Sequence, residues 1–573
     1  MDDAPVPAQR SLGPRLAVAA IVVVLGALHA VWLHRERRGG PLDIDEAAYL
    51  TLAFSTSSAN HRILTGPFLL WRDSGYLAPL VPLVTAPFQY LFGRSVEVGH
   101  LTNLVFFAAL VVGAFLLARR LLPPWWSVLA ALVVATLPAV TDYTRHYHFA
   151  VASAATFTAA LVALLRSERF AHRGWAMGFG ACLGLVVLSR TFMLAYVPAL
   201  LAAAVLLAWQ SGPTRRRAAG INLLLALAIG GAIAASWYFF SAREVLDYLT
   251  GYGYGDESTS YGPASVDSLR FWLSDLVSLV SDGFYVPIAL LLGVGTVVGL
   301  VTLVCTTPAR DLARRVARSD ALPLLVAFGT GFAALLSSRN TGTGFVLPLL
   351  APTTVLALAA TTKARPRAVA GTFAVLVACL CLFNVAMKSQ VTSAFDHEVA
   401  LTAAPWARLR VSDGRSIIDR YIEDHTDRTN DGRDDGWLAA GAELHDLTEA
   451  HQPPDDPDPE VLVTVEGPLF NSSIVSLASQ VSSADLFGAR SLDLAEIPVL
   501  TDPDALTARL RELRAAGIDQ VVTGPGGLSW DNTTLPEEVT TQAARAAGFR
   551  PVGRVALPDG REVTLWTAET GAP

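Results

Sequence analysis

The chain has 573 residues, of which 52% are hydrophobic and only 16% are charged. Because soluble globular proteins carry about 25% charged residues, this composition predicts a polytopic membrane protein. After residue 390 acidic residues outnumber basic ones about two to one, so the last third is an acidic segment behind a basic, apolar one. An acidic exposed segment argues against nucleic acid as a partner, since no phosphate-neutralising patch is present.

Apolar runs in the first two thirds of the chain predict eleven membrane-spanning helices. They lie near residues 16–33, 97–118, 125–141, 147–165, 174–189, 191–210, 219–241, 284–305, 320–337, 344–361 and 368–387. The run of roughly 35 residues from Trp175 to Trp209 would make a helix about 52 Å long, against a hydrocarbon core of about 30 Å. We therefore expect a hairpin that turns at Ser189-Arg190.

The short loops between these spans are alternately basic, which sets a direction for the chain. Lysine and arginine favour the cytoplasmic side, so we expect a cytoplasmic amino terminus and an extracytoplasmic carboxyl terminus in the plasma membrane. The basic loops are near residues 119–120, 166–173, 215–217, 310–318 and 363–367, and the exception is the basic run at 34–38. This topology places a first outer loop at about 34–96 and a long one at about 242–283.

Residues 390–573 predict a separate extracytoplasmic α/β domain, following a transmembrane domain of residues 1–389. Strand-like and helical runs alternate there, which is typical of α/β folds. The expected strands are 460–465, 519–522, 550–556 and 562–567, and the expected helices are 416–423, 505–516 and 536–547.

Ionisable residues recur at the predicted outer membrane face, where their desolvation is costly and usually functional. They are Asp45, Glu46, Arg62, Arg72, Asp142, Arg145, His146, His148, Arg190 and Arg339. A carboxylate among cations suits an anionic substrate such as a lipid-linked phosphate, because arginine neutralises a leaving phosphate. The carboxylate could deprotonate an acceptor hydroxyl or hold a divalent metal. In the long outer loop, Tyr252 and Tyr254 could stack on sugar rings.

The order of these elements resembles the membrane glycosyltransferases with the GT-C fold, in the branch of protein O-mannosyltransferases and lipid A aminoarabinose transferases (families 39 and 83). The resemblance covers about residues 15–360. The matching pieces are Asp45-Glu46-Ala47-Ala48-Tyr49, the proline-rich Leu77–Gly93, Leu188-Ser189-Arg190 with Pro198, Ser236-Trp237-Tyr238, and Arg339 with Phe345–Pro352.

The resemblance implies transfer of a sugar from a polyprenyl-phosphate donor to an extracytoplasmic hydroxyl, with inversion at the anomeric carbon. The acceptor could be a protein, a lipid or a polysaccharide. Asp45 is then the expected general base and Glu46 its catalytic partner. We assign donor-phosphate binding to a set of arginines and acceptor or sugar binding to histidines and tyrosines. The arginines are Arg72, Arg145, Arg190 and Arg339, and the others are His146, His148, Tyr252 and Tyr254. Relatives often have another acid near the second outer loop, so Asp45 and Asp142 are the candidate ligands of a divalent metal.

Structural interpretations of the same residues stay open. Asp43 and Glu46 fit a helix capping box, and arginines such as Arg72 can extend their charged ends to lipid headgroups. Two histidines spaced as His146 and His148 are poorly placed to share a metal on a helix. Alternative functions are a transporter or flippase of lipid-linked glycans, which predicts inverted repeats and broken helices, and a membrane-anchored glycan-binding module.

Overall fold

The computed structural model describes most of the chain. It covers residues 12–57, 71–72, 74–255, 268–338, 343–390, 395, 397–420, 436–452, 460–465, 467, 469–482, 488–491, 500, 502–525 and 535–568.

Helices make up the first two thirds of the chain. They are α1 (Leu12–Trp32), α2 (Ile44–Ser57), α3 (Leu80–Phe92), α4 (Val96–Ala118), α5 (Pro124–Thr136), α6 (Pro138–Thr144), α7 (Phe149–Arg166), α8 (Arg173–Ser189), α9 (Val197–Trp209), α10 (Arg216–Tyr248), α11 (Leu269–Ser278), α12 (Val286–Thr306), α13 (Ala309–Arg318), α14 (Ala321–Leu335), α15 (Thr343–Thr361) and α16 (Arg367–Lys388). π-helical turns follow α1 (Leu33–Arg37), α10 (Leu249–Gly253) and α11 (Leu279–Phe284).

The protein is a multi-pass membrane protein, but the predicted count of eleven spans is not confirmed. Within the described ranges, eight helices are long and apolar enough to cross a membrane. α5 and α6 form a ninth span if they cross together, with a bend of 58° where Pro138 interrupts the helix. α8 and α14, which the sequence counts as spans, have 17 and 15 residues. α3 is also apolar, with 13 residues and Pro87 inside it.

The predicted end of a helix at Ser189-Arg190 is confirmed. α8 ends at Ser189, Arg190 is extended with φ −165° and ψ 138°, and a 3₁₀ helix begins at Thr191. α8 packs closely against α10 at Gly180. A Cβ atom at this position would lie only 2.2 Å from the Ala226 carbonyl oxygen, so only glycine allows this approach. Small residues allow membrane helices this close an approach.

The last third forms an antiparallel hairpin and a mixed five-stranded sheet. The hairpin consists of β1 (Glu398–Ala404) and β2 (Ala407–Asp413). The sheet has the order β4-β3-β5-β7-β6, with β4, β3 and β5 parallel and β7 and β6 antiparallel. Its strands are β3 (Glu460–Val463), β4 (Gly488–Ser491), β5 (Gln520–Thr523), β6 (Phe549–Ala556) and β7 (Glu562–Ala568).

Helices cover both faces of this sheet, which confirms the predicted α/β class. They are α17 (Gly436–Ala450), α18 (Ser472–Ser482), α19 (Pro503–Ala515) and α20 (Glu537–Ala546). α17 and α18 contribute Leu444 and Val475 to the core on one face, while α19 contributes Leu506 to the core on the other. Successive residues of β3 point to opposite faces of the sheet, so Val461 belongs to one core and Leu462 to the other.

The described residues of the carboxyl-terminal part contact the membrane part at several places. α18 packs against α2, and its Ile474 and Leu477 belong to the same hydrophobic core as Leu50 of α2. The β1–β2 hairpin contacts the π-helical turn after α11, where the Ser281 hydroxyl donates a hydrogen bond of 2.8 Å to the Arg408 carbonyl. The first of these contacts lies on α2, the helix that carries Asp45 and Glu46.

Candidate active site

The acidic pair lies in the first turn of α2, and Asp43 caps this helix. The Asp43 Oδ1 atom accepts a hydrogen bond of 2.8 Å from the Glu46 backbone N–H, and Glu46 Oε2 lies 3.5 Å from the Asp43 backbone nitrogen. This is the reciprocal geometry of a capping box. The capping interpretation therefore describes Asp43 and Glu46, and it leaves Asp45 unexplained.

Glu46 is fully buried and surrounded by donors. Arg37 donates to Oε2 at 2.5 Å, while His100 Nε2 and the Tyr147 backbone N–H each lie 2.8 Å from Oε1. Burial by itself would raise the pKa of Glu46, but Arg37, His146 and His100 together hold it well below its ordinary value. Glu46 is thus a charged structural centre whose oxygens already have partners.

Two features of the sequence make the environment of Glu46 possible. Arg37 belongs to the basic run that contradicts the loop-charge pattern, and the structure places it inside the protein, 4% exposed, on Glu46. Gly99 allows α4 to approach α2, because a Cβ atom there would lie 2.3 Å from Leu50 Cδ2. That approach brings the next residue, His100, to Glu46.

Asp45 has the opposite character, since its side chain is 52% exposed. Its Oδ2 atom lies 3.4 Å from His148 Nε2, the one ion-pair contact found for it among the described residues. Partial burial raises the pKa of Asp45, but His148, Arg190 and His146 outweigh this and lower it overall. Asp45 is therefore ionised at neutral pH and keeps part of its carboxylate open to solvent.

Arg190 lies near Asp45 and provides positive charge. Its guanidinium stacks between the rings of Phe149 and Phe345, 4.2 Å and 3.6 Å from their centroids. Within the described part of the chain its Nη1 atom has no hydrogen-bond partner, and it is close enough to Asp45 to shift that residue's pKa. A guanidinium held between rings with an unused donor is suited to bind an anionic oxygen.

Three buried side chains could hold a divalent cation, but they are not the predicted ligands. Ligand atoms of Asp43, Glu46 and His146 lie within 4.8 Å of one another, and His146 Nε2 is 2.7 Å from Asp43 Oδ2. Two carboxylates and an imidazole suit a borderline or hard divalent ion. Arg37, however, already neutralises Glu46 at 2.5 Å, and a cation would have to compete with this ion pair. The expected ligand Asp45 lies outside this group.

Asp142 and Arg145 face a different part of the molecule from the one the sequence suggested. Asp142 forms ion pairs with Lys388 at 2.8 Å and with Arg420 at 2.9 Å. Arg145 donates to His29 Nδ1 at 3.1 Å and to the Lys388 carbonyl, with its guanidinium over the Trp32 ring. Both residues therefore join α1 and α16 to the outer loops, and their contacts are with other protein groups rather than with Asp45 or Arg190.

The two histidines contact the acids of α2. His146 lies on Asp43 and Glu46, and His148 lies on Asp45 while its Nδ1 accepts the Ala150 N–H at the start of α7. Burial lowers the pKa of His148 although Asp45 opposes the effect, whereas both acids raise the pKa of His146 against its burial. These contacts hold both histidines against the acids. The acceptor or sugar binding expected from the sequence stays a prediction.

The remaining predicted residues are less well placed. Arg72 is exposed beside Trp71, whose indole donates to Ser236 Oγ at 2.8 Å. The Tyr254 ring stacks on Phe192 at 5.9 Å, and Phe192 contacts Phe345, the ring that covers Arg190. Arg339 and the side chain of Tyr252 lie outside the described residues.

Four ionisable residues of this region were not predicted as part of it: Arg37, His100, Lys388 and Arg420. His100 and Lys388 carry a usable signal, because an ionisable group within an apolar span seldom occurs without a function or a partner. Arg37 had a signal as the exception to the loop-charge pattern. Arg420, about 280 residues from Asp142, had none in the local sequence.

Comparison with known proteins agrees with this architecture. Residues 77–238 match the model of the dolichyl-phosphate-mannose-protein mannosyltransferase family. The structure of ArnT from Cupriavidus metallidurans bound to undecaprenyl phosphate matches with a TM-score of 0.54 and 15% identity, over 98% of this chain and 100% of that one. The archaeal oligosaccharyltransferase AglB from Archaeoglobus fulgidus, in complex with an inhibitory peptide and a dolichol-phosphate, matches with a TM-score of 0.51 and 13% identity, over 97% and 75%. No curated protein sequence matches the chain. The chain therefore has the GT-C fold that its resemblance to the O-mannosyltransferase and aminoarabinose transferase branch implied.

Proposed function

We propose that the protein transfers a sugar from a polyprenyl-phosphate donor to an acceptor hydroxyl, with Asp45 as general base. The observation that carries this proposal is the contrast between the two acids: Glu46 is buried with its oxygens occupied, while Asp45 is half exposed beside Arg190. ArnT was solved with undecaprenyl phosphate and AglB with a dolichol-phosphate, which supports a lipid-phosphate donor here.

In the proposed reaction the Asp45 carboxylate accepts the proton of the acceptor hydroxyl. The resulting nucleophile forms a bond to the anomeric carbon while the bond from that carbon to the phosphate oxygen breaks. Arg190 stabilises the negative charge that the leaving phosphate gains, and its unused Nη1 donor gives it a hydrogen bond to offer. One displacement from the face opposite the phosphate inverts the anomeric configuration. His148 orients Asp45.

The wider site follows from this assignment. Arg72 and Arg339 stay candidate phosphate ligands, and Tyr252 and Tyr254 stay candidate sugar contacts. Arg145, His146 and Asp142 are reassigned to positioning, because each has protein partners in its present place. Asp43, Glu46 and His146 are the residues that would hold a divalent metal, in place of the present ion pairs of Glu46 with Arg37 and of Asp43 with His146.

We infer the membrane orientation from loop charge. The amino terminus is cytoplasmic, and the site and residues 390–573 lie on the extracytoplasmic face of the plasma membrane. Residues 1–389 form the transferase domain. The acceptor is a protein, a lipid or a polysaccharide. The carboxyl-terminal domain contacts the site region, since α18 packs on the helix that carries Asp45.

The test is release of polyprenyl phosphate by purified protein from a panel of undecaprenyl- and dolichyl-phosphate sugars, with a detergent extract of the native cell envelope as the source of the acceptor hydroxyl. Asp45→Asn is expected to slow turnover about 10²–10⁴-fold, the usual contribution of a general base, with little change in thermal stability. The matched control is Asp247→Asn, an acid that is 73% exposed in α10 and should leave turnover unchanged. Turnover of Asp45→Asn within twofold of wild type would remove Asp45 as the base. A flippase would release no polyprenyl phosphate in detergent.

A further inference from the structure

A cavity lies far from Asp45, at the other end of α7. It has a volume of about 470 Å³, and its polar lining includes Arg120, Glu168, Arg169, Ser211, Arg215 and Asp320. α7 begins directly after His148 and has 18 residues, so its two ends are about 27 Å apart at 1.5 Å per residue. In the proposed orientation this cavity is at the cytoplasmic face.

A strained turn presents Arg169 to this cavity. Glu168, Arg169 and Phe170 all have positive φ values of 49°, 61° and 63°, and none of them is glycine. A left-handed conformation costs about 1–2 kcal/mol for each such residue and occurs mostly at single positions. Runs of this kind persist where the surroundings enforce them, often at binding sites.

The surroundings of this turn do enforce its shape. The Phe170 ring is fully buried, its backbone N–H donates to Ser167 Oγ at 3.1 Å, and its carbonyl accepts a hydrogen bond of 2.8 Å from Asn222 of α10. Arg169 extends to the carbonyl of Arg318 at 3.1 Å, at the end of α13. The strained backbone is therefore a fixed part of the cavity wall.

The cavity has more positive charge than its own acids neutralise. Arg120 pairs with Asp320 at 2.8 Å, and Glu168 lies 3.0 Å from His172. Neither Arg169 nor Arg215 has a carboxylate within ion-pair distance among the described residues. The buried hydroxyl of Ser211 also has no hydrogen-bond partner there. An anion would neutralise the unpaired arginines and accept a hydrogen bond from Ser211. Phosphate esters are well suited to this, because their oxygens match the donors of an arginine.

Two exposed tryptophans indicate the level in the membrane at which this cavity lies. Trp175 and Trp209 are 42% and 64% exposed, and their rings lie under the guanidinium groups of Arg166 and Arg216. Exposed tryptophans beside arginines are typical of the layer where lipid headgroups meet water. The cavity wall includes Leu207, two residues before Trp209, so it lies at headgroup level.

We propose that this cavity binds a phosphate ester, with Arg169, Arg215 and Ser211 as donors. Its position favours the headgroup of an anionic glycerolipid, whose free hydroxyls would donate to Glu168 or Asp320. A soluble phosphate ester has the same chemistry and is the second source. The site is independent of Asp45 and of the proposed transfer reaction.

Native mass spectrometry of the full-length protein in detergent tests this proposal with three probes: phosphatidylglycerol, phosphatidylcholine and glycerol 1-phosphate. Phosphatidylglycerol is expected to bind at least tenfold more tightly than phosphatidylcholine. Arg215→Gln, which replaces an exposed side chain and so preserves the fold, should weaken phosphatidylglycerol binding about tenfold, as should Arg169→Gln. The control Arg314→Gln removes an exposed arginine of α13 that does not line the cavity.

The outcomes separate the sources. Tight binding of phosphatidylglycerol but not of glycerol 1-phosphate, lost in Arg215→Gln, supports the lipid headgroup. Equal binding of glycerol 1-phosphate with the same loss supports a soluble ester. Equal binding of both lipids overturns the proposal, because the unpaired arginines would then give no preference for the anionic headgroup. An equal loss in Arg314→Gln also overturns it, because attraction to the whole basic face would then explain the binding.

Discussion

Glu46→Gln is the substitution whose effect the structure defines best. The change keeps the shape of the side chain but removes its charge, so the Arg37 guanidinium, 2.5 Å away and 4% exposed, becomes a buried cation without a counter-ion. Removal of one member of a buried ion pair typically costs about 3–5 kcal/mol. His100 and the Tyr147 N–H, both 2.8 Å from Oε1, also lose a charged acceptor, so we expect the upper part of that range.

Thermal and denaturant unfolding of the purified protein would measure this effect, with Asp45→Asn as the matched control. The control makes the same chemical change one residue earlier, at a side chain that is 52% exposed, and should cost less than about 1 kcal/mol. A double-mutant cycle with Arg37→Gln should recover a coupling energy of about 2–3 kcal/mol. Equal stability losses in Glu46→Gln and Asp45→Asn, or no coupling to Arg37, would refute the assignment of Glu46 to a structural centre.

Three further substitutions test the charged groups around the site. Asp142→Asn should destabilise the protein by about 3 kcal/mol in unfolding experiments, because the buried Lys388 loses its carboxylate partner. The double substitution Asp142→Leu with Lys388→Met should lower the stability less than Asp142→Asn alone, because it leaves no unpaired charge at Lys388. Burial raises the pKa of Asp413, but Arg415 and its cationic neighbours lower it overall to about 2. The ionised carboxylate therefore contributes about 2 kcal/mol of stability above pH 4, and this contribution is lost as the pH falls towards 2. The stability difference between wild type and Asp413→Asn should shrink over that pH range, and a constant difference would contradict this. Burial raises the pKa of Asp275 to about 7, and neither of its carboxylate oxygens has a hydrogen-bond partner among the described residues. Ionisation of Asp275 therefore lowers the stability of the folded protein increasingly as the pH rises from 4 to 7. The Asp275→Asn variant should therefore become more stable than wild type as the pH rises, by up to about 4 kcal/mol. A variant that becomes less stable than wild type over this pH range would contradict the prediction.

The sequence predicted the elements well where periodicity is strong. The strands at 460–465, 519–522, 550–556 and 562–567 match β3, β5, β6 and β7 within two residues, and the turn after Ser189 is where helix length required it. The hairpin β1–β2, β4, α17 and α18 were not predicted. In β1, exposed and partly buried residues do not alternate regularly, so the two-residue period of a half-buried strand is missing.

The candidate site was predicted in part, for a physical reason. The acids of α2 and Arg190 were identified because charge at a membrane face is costly whatever its partner. The partners themselves depend on tertiary packing, as Asp142 shows: its cations come from the end of α16 and from residue 420. The sequence assigned Arg145 to phosphate binding. Its contact with His29 joins residues that are 116 positions apart, and no local pattern in the sequence reveals it.

The contact between α2 and α18 has a consequence for the order in which the protein matures. Roughly 400 residues separate these helices, and a ribosome adds about 5–20 residues each second, so α2 waits on the order of 20–80 s before α18 is made. During that interval the surface of α2 that Ile474 and Leu477 later cover has no partner from this chain. The helix that carries Asp45 can therefore reach its final packing only after nearly all of the protein has been synthesised. An unfinished chain would hold the acids of the site on an incompletely supported helix, and deletion of residues 390–573 would return the protein to that immature state.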